Sequence, residues 1–172
     1  SGTDAAAMVA RASDDGDCYT LNGEKMWVTN GTTADLFVLF AKVTEHPDYG
    51  VKKHGGVTCF IIEKGFEGFK IGKKEDKLGI RSSDTCTLIL DNCKVPKENV
   101  LGDVGKGFAI AMNALDNSRI GIAAQGLGIA QGAYEAALKY SKERETFGKP
   151  IAAHQSIGNY LADMALKIDA AR

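Results

Sequence analysis

The stretch that decides the fold reads Leu21-Asn22-Gly23-Glu24-Lys25-Met26-Trp27-Val28-Thr29-Asn30-Gly31. Its two Asn-Gly pairs supply the positive φ angles that tight turns between strands require. We therefore predict a hairpin turn at the first pair and a strand over residues 25–29 that leaves this turn.

Side chains alternate between the two faces of a strand, so Trp27 and Thr29 are predicted to share a face, with Lys25 below them. Trp27 is the only tryptophan of the chain. A flat aromatic ring beside a hydroxyl group suits a planar heteroaromatic ligand such as a flavin. The ordinary alternative is a half-buried tryptophan that packs in a sheet.

Composition places the chain among ordinary globular proteins. Its 172 residues are 44% hydrophobic and 25% charged, and they suffice for a sizeable core. A formal net charge of -1 gives no support for nucleic acid or an anionic membrane as a partner. No apolar run is long enough to span a bilayer. The four cysteines form no Cys-x-x-Cys pair, so we expect reduced thiols, no metal site, and a bacterial cytoplasm or a mitochondrial matrix.

The first hundred residues alternate β-branched and aromatic runs with turn residues. These runs predict strands at residues 18–21, 25–29, 36–43, 57–62, 69–71 and 86–90. Because no helical pattern separates them, we expect an antiparallel β-barrel or sandwich. Residues 45–56 are predicted to form an exposed loop, with Lys52-Lys53-His54 as its solvated tip.

The pattern then becomes helical. Apolar residues at three- and four-residue spacing predict a helix over residues 107–144, about 55 Å long. We expect Gly148 and Pro150 to stop it. A second helix is predicted to start at His154 or Gln155 and to continue to Arg172, so the chain is expected to be a fragment of a larger helical bundle.

Polar residues interrupt the first helix at Asp116-Asn117-Ser118-Arg119. Arg119 could bind a phosphate or a carbonyl-bearing tail, and Asp116 could accept hydrogen bonds from amides or hydroxyls. The alternative is an intrahelical Asp116–Arg119 ion pair at three-residue spacing.

A second polar group follows the helix. Arg144 and Thr146 place a guanidinium and a hydroxyl where the chain reverses, an arrangement that suits a pyrophosphate. His154-Gln155 lies at the next helix start, where free amide groups favour anions. The alternatives are that Arg144 interacts with the carbonyl end of its own helix and that His154 is a surface or capping residue.

Taken in order, these segments resemble the acyl-CoA dehydrogenase family over essentially the whole chain. The resemblance rests on Gly2-Thr3-Asp4-Ala5-Ala6-Ala7, Asn22-Gly23-x-Lys25-x-Trp27-Val28-Thr29-Asn30-Gly31, Lys77-Leu78-Gly79-Ile80-Arg81-Ser82-Ser83-Asp84-Thr85, Lys94-Val95-Pro96, Asn99-Val100-Leu101-Gly102, Arg119 and Arg144-x-Thr146-Phe147-Gly148. Residues 73–81 and 119–131 are most similar to short-chain, butyryl-type members. The resemblance implies a multi-domain α+β protein: a middle β-domain over residues 1–103 and the first two helices of a four-helix bundle over 104–172.

The resemblance also implies FAD as cofactor. Trp27 and Thr29 would flank the isoalloxazine, with the Thr29 hydroxyl bonded near the flavin N5 atom. Thr3 would contact the FAD pyrophosphate or the CoA arm of the substrate. The cofactor-binding residues implied are Thr3, Trp27, Val28, Thr29, Arg144, Thr146, Phe147, His154 and Gln155. Arg144, Thr146 and Gln155 would reach the FAD of a neighbouring subunit, which implies a homo-oligomer, a dimer or a tetramer.

Substrate contacts are implied at Thr3, Asp116, Asn117, Ser118 and Arg119 along the CoA path. The family reaction removes the α-proton of an acyl-CoA with a glutamate while the β-hydride passes to flavin N5. Some members carry that glutamate just before the helix arginine, where this chain has Ser118. We therefore expect the base downstream of this chain, and no catalytic residue within it.

Three functions are consistent with this resemblance. The first is a short-chain acyl-CoA dehydrogenase of fatty acid β-oxidation that passes electrons to an electron-transferring flavoprotein. The second is an acyl-CoA oxidase-like relative that uses oxygen. The third is a non-enzymatic β-domain with a helical hairpin that serves as an interaction module. Under the first two, this chain alone is expected to be inactive.

Overall fold

The computed structural model describes residues 2–172, which divide between Asn113 and Ala114 into two compact units. The first unit contains a seven-stranded sheet and the start of a long helix, α1 (Gly107–Glu143). The second unit contains the rest of α1, a short hairpin and a second helix, α2 (Gln155–Ala171). A β-domain followed by long helices is the fold class that the sequence predicts.

The sheet has the strand order β5-β6-β2-β1-β3-β4-β7. Its strands are β1 (Arg11–Asp14), β2 (Cys18–Thr29), β3 (Leu36–Val43), β4 (Val57–Glu63), β5 (Phe69–Lys74), β6 (Thr85–Pro96) and β7 (Val100–Leu101). Neighbouring strands are antiparallel except β1 and β3, which are parallel. The expectation of a purely antiparallel sheet is wrong at this pair. The sequence did not predict β1. This strand pairs with β2 along one edge and with β3 along the other, where Thr44 N donates to Ala12 O at 3.0 Å.

The core of the first unit is built from buried side chains of β1 to β6. In β3 every second residue is buried, as the period of a strand requires. Aromatic rings meet in this core, with Tyr19 edge-on to Phe60 at 5.3 Å and Phe37 tilted against Phe69 at 4.9 Å between ring centroids. The sheet thus buries a continuous apolar layer without help from the second unit.

The Asn22-Gly23 pair does not form a hairpin turn, so that prediction is wrong. β2 runs straight through the pair along β6, and the register shifts by one residue between Leu21 and Gly23. The Asn92 amide donates to Asn22 Oδ1 at 2.9 Å across this irregularity. Gly23 has φ +141°, and a Cβ there would lie 2.9 Å from Ala10 Cα. The irregularity is a β-bulge in β6, because β6 advances three residues from Cys93 to Leu90 while β2 advances two from Leu21 to Gly23.

The two helices have nearly the bounds that the sequence predicts, but the segment between them has a different structure from the predicted one. α1 ends at Glu143, and residues 145–150 form a hairpin of β8 (Glu145–Thr146) and β9 (Lys149–Pro150). Its two turn residues, Phe147 and Gly148, both have positive φ, at 52° and 73°. Gly148 therefore belongs to a hairpin turn with left-handed geometry, and the prediction that it stops α1 is wrong.

The second unit buries few large side chains. Ile168 of α2 is buried, and Arg172 donates to Gln131 Oε1 of α1 at 3.1 Å. Several large apolar residues of these helices are exposed, namely Leu115, Ile120, Ile122, Ile129, Tyr140, Tyr160 and Leu166. Within the described residues, no helix combines the length and the apolar character needed to cross a membrane.

Replacing Gly23 by alanine should destabilise the first unit by about 3 kcal/mol, because the new Cβ combines positive-φ strain with a collision at Ala10. Gly16→Ala is the matched control. Gly16 has φ +92° but open space around it, so this change should cost only about 1 kcal/mol of backbone strain. Chemical denaturation of both variants measures the difference; equal losses would show that the bulge tolerates a side chain.

The buried thiols provide a second prediction. The four cysteines are free, and Cys59, Cys86 and Cys93 are buried. Burial raises the pKa of the Cys93 thiol to about 11. We expect Cys93 to resist thiolate-specific reagents at pH 8 until the unit unfolds, whereas the half-buried Cys18 reacts first. Labelling followed by mass spectrometry checks this order.

The raised pKa of the Cys93 thiol makes the free energy of unfolding depend on pH. An unfolded thiol ionises near pH 8.5, but the folded Cys93 thiol stays protonated until about pH 11. The unfolded state therefore binds fewer protons in this interval. The contribution of Cys93 to stability is complete below pH 8.5 and is lost as pH rises toward 11.

Candidate functional site

A second bulge places Trp27 outside the core. Lys25 pairs with Leu88 and Val28 pairs with Cys86, so β2 uses one more residue than β6 over this interval. Trp27 takes φ 60°, and its side chain is 65% exposed. The tryptophan is thus not a packed core residue of this unit, which was the ordinary alternative.

The bulge also changes which side chains share a face. Lys25 and Val28 lie opposite the buried Leu88 and Cys86, so both point toward the core, and Thr29 points away from it. The prediction that Lys25 and Thr29 lie on one face is therefore wrong, because the extra residue reverses the alternation between them.

The end of this strand is held by the loop before β6. Asn30 N donates to Asp84 O at 3.1 Å, and the Thr32 amide and hydroxyl both donate to Asp84 Oδ2. The hydrogen bond from the Thr32 hydroxyl is the main cause that lowers the pKa of the Asp84 carboxyl. A Cβ at Gly31 would collide with Cys86 Sγ. The backbone at the second Asn-Gly pair thus lies in close contact with the core.

Trp27 lies at a cleft of about 790 Å³ within the first unit. The cleft is mostly apolar, and its lining includes Gly2, Ala5, Met8, Val9, Lys25, Met26, Trp27, Val38, Phe40, Phe108 and Ala111. Of the cofactor residues expected in this unit, Trp27 and Val28 line it, whereas Thr3 and Thr29 do not. Its volume is in the range of clefts that bind cofactors.

Lys25 is a charged residue of the cleft for which the sequence predicts no contact with a ligand. Its Nζ donates to Phe40 O of β3 at 2.6 Å, and both residues line the cleft. Burial lowers the pKa of Lys25. The ammonium group thus ties β2 to β3 directly beside the Trp27 bulge.

The prediction of a solvated tip at residues 52–54 is wrong for His54. Its ring stacks on Phe108, with centroids 3.6 Å apart and an interplanar angle of 11°. Its Nδ1 atom is buried without a hydrogen-bond partner in the described structure. The following Gly55-Gly56 pair is buried, and this pair is the sequence feature that could have indicated close packing. His54 and Phe108 line a recess of about 300 Å³. Its lining also includes the charged residues Lys52, Lys53, Lys106 and Asp48.

The polar group on α1 forms the intrahelical pair that was the alternative to ligand binding. Arg119 Nε lies 3.9 Å from Asp116 Oδ1, and both side chains are exposed. Ser118 Oγ donates to Leu115 O at 3.0 Å, which is a bond within the helix. An exposed pair of this kind contributes little to stability, so both charges stay available to a ligand at small cost.

The hairpin after α1 brings together two of the residues expected at the cofactor. Thr146 Oγ1 and His154 Nε2 lie 3.1 Å apart. The Phe147 ring, which is 96% exposed, lies edge-on to the imidazole at 6.0 Å between centroids. His154 directly precedes α2, but its side chain makes no capping hydrogen bond, and Gln155 begins the helix. The imidazole thus contacts the hairpin and does not cap the helix.

Two family models match the chain in the order of these elements. The middle domain of acyl-CoA dehydrogenases matches residues 1–93, and the C-terminal domain of acyl-CoA dehydrogenases matches residues 105–172. The chain belongs to the acyl-CoA dehydrogenase family. The family resemblance predicted from the sequence motifs is confirmed.

Individual relatives of the acyl-CoA dehydrogenase family agree with this assignment. A short-chain specific acyl-CoA dehydrogenase of Megasphaera elsdenii is 51% identical over 99% of this chain and 44% of its own length. A chain in the structure of the electron-transferring flavoprotein of Acidaminococcus fermentans is 52% identical, with a TM-score of 0.91 over 99% of this chain and 43% of that one.

An acyl-CoA dehydrogenase of Bacillus anthracis complexed with FAD is 40% identical, with a TM-score of 0.90 over 99% of this chain and 28% of that one. This chain thus spans less than half the length of each of these relatives. The matched part contains the Trp27 bulge and the Thr146–His154 contact.

Proposed function

We propose that this chain is the middle β-domain (residues 1–103) and first C-terminal helices (residues 104–172) of an FAD-dependent short-chain acyl-CoA dehydrogenase. The reaction is the α,β-dehydrogenation of an acyl-CoA thioester to the trans-2-enoyl-CoA. The observation that supports it most is the exposed Trp27 in a β-bulge beside a mostly apolar cleft. A folded sheet gains nothing from exposing a tryptophan, so a flat ligand accounts for this arrangement better than packing does.

Each unit carries residues suited to one part of FAD, and those of the second unit are proposed to serve the FAD of a neighbouring subunit. At the isoalloxazine end, the bulge displays the indole next to apolar cleft walls, with Thr29 two residues further on. At the diphosphate end, the start of α2 offers free amides beside the Thr146 hydroxyl. Arg144 adds a guanidinium before Thr146, and Thr3, Phe147, His154 and Gln155 complete the proposed contacts.

The CoA part of the substrate is assigned to the polar group on α1. Asp116 and Arg119 present an exposed carboxylate and guanidinium, which lie 3.9 Å apart. Asn117 and Ser118 lie between them and complete the proposed contacts. The basic recess around His54 is suited to an anionic group of the substrate, because Lys53 and Lys106 bring charge that Asp48 does not neutralise.

When bound, FAD supplies the hydride acceptor, and this chain positions it. Trp27 would hold one side of the ring system, and the Thr29 hydroxyl would donate a hydrogen bond near N5. Neither Ser118 nor another residue of this chain is assigned as the base, since the Ser118 hydroxyl is bonded within its own helix. The base is proposed to be a glutamate further along the polypeptide.

The partners follow from the same assignment. We propose that an electron-transferring flavoprotein accepts the electrons and that a neighbouring subunit shares the site of Arg144, Thr146 and Gln155. The exposed apolar residues of α1 and α2, such as Ile120 and Ile129, suit burial in a completed bundle and in a dimer or tetramer. We propose the bacterial cytoplasm or the mitochondrial matrix as the compartment, with β-oxidation of fatty acids as the role.

One experiment tests the reaction and separates it from the oxidase alternative. The complete polypeptide, purified with FAD, is mixed anaerobically with butyryl-CoA, and the flavin absorbance is followed. We expect bleaching by butyryl-CoA and slow recovery in air, with rapid recovery when an electron-transferring flavoprotein is added. Stoichiometric hydrogen peroxide in air would identify an oxidase, and a colourless protein that takes up no FAD would indicate a non-enzymatic module.

Thr29→Val should slow reduction of the flavin by butyryl-CoA by about 10- to 100-fold, because the hydrogen bond proposed near N5 is lost. Thr33→Val is the matched control, since the Thr33 hydroxyl bonds only to Asn30 O in the adjacent loop. Stopped-flow reduction of both variants is the measurement. Equal rates for Thr29→Val and the wild type would remove Thr29 from the site.

A further inference from the structure

The contact between Thr146 and His154 determines how the hairpin can meet an anion. Thr146 Oγ1 lies 3.1 Å from His154 Nε2, and both residues are half-buried. The Phe147 ring lies edge-on to the imidazole and restricts the movement of the His154 ring on a second side. The side chain of His154 makes no capping bond to α2, so the ring has no competing role at the helix end.

The direction of this hydrogen bond decides what Thr146 can offer. A hydroxyl has one proton, so it cannot donate to the imidazole and to a phosphate oxygen at once. Phosphate oxygens only accept, so a hydroxyl that binds a diphosphate must donate to it. The imidazole must then be the donor, from Nε2–H to Thr146 Oγ1.

We infer that His154 is a positioning residue that donates its Nε2–H to Thr146 and thereby directs the Thr146 hydroxyl proton toward the cofactor diphosphate. This inference rests on the proposed function, because it concerns the same FAD site. It differs from direct contact between His154 and FAD: the imidazole acts through Thr146.

Nearby charges do not draw the His154 ring away from Thr146. The charged side chains on the adjacent hairpin are Arg144, Glu145 and Lys149, and α2 carries none before Asp163. Within residues 2–172, His154 forms no ion pair. The donating role selects the imidazole tautomer that carries its proton on Nε2.

Four variants of the complete polypeptide test this inference through FAD affinity, measured by flavin fluorescence and not by turnover. We expect Thr146→Val to weaken FAD binding about tenfold and His154→Met about fivefold. In the double variant, His154→Met should add no further loss, because its effect passes through the hydroxyl. His154→Gln should restore most of the affinity, since its amide N–H can donate to Thr146.

Rescue by the conservative variant is the readout that a merely structural role would not move. His154→Gln keeps an N–H donor for Thr146, whereas His154→Met keeps a side chain of similar size without one.

Two outcomes would overturn the inference. If His154→Met weakens binding equally with and without Thr146, or if His154→Gln binds FAD no better than His154→Met, His154 does not act through a hydrogen bond to Thr146 and the inference is wrong. A wild-type polypeptide that binds no FAD would overturn the proposed function itself.

Discussion

The pairing of β2 with β6 is the constraint on which the rest of the first unit depends. β6 runs along β2 from Cys18 to Thr29, and the register shifts twice, at Asn22 and after Lys25. The first shift accommodates an extra residue in β6 and the second an extra residue in β2, and neither breaks the ladder. The first admits the close approach of Gly23 to Ala10, and the second exposes Trp27 while Val28 returns to the core. A core strand thereby becomes the wall of a cleft.

The cost of this exposure is offset at both ends of the bulge. On one side the Lys25 ammonium bonds to the β3 backbone, and on the other Asp84 holds the Thr32 turn. Rigid support of this kind is what a cofactor site requires, because a ring held loosely cannot align its reacting atom. The hairpin after α1 follows the same principle, since its two-residue turn fixes Thr146 against His154.

Long periodic elements could be predicted well from the sequence, and local geometry could not. β3 and the bounds of α1 and α2 follow from apolar periodicity, which depends only on neighbouring residues. The predictions for Asn22-Gly23 and Gly148 were wrong because positive φ occurs in turns, at bulges and at close approaches of the backbone alike. The burial of His54 against Phe108 joins segments more than fifty residues apart, which no local pattern records.

The sequence by itself determined the family, the β-then-α order and the residues at which FAD and CoA contacts are proposed, since motifs and their order are properties of the chain. Only the tertiary structure decided which of those residues meet. It exposed Trp27 through a bulge in the pairing with β6, placed Lys25 on the face of β2 opposite to that of Thr29, and placed the Thr146 hydroxyl next to the His154 ring. The reason is that faces and hydrogen-bond partners depend on which strands and turns pack together, and packing is set by contacts between residues distant in the chain.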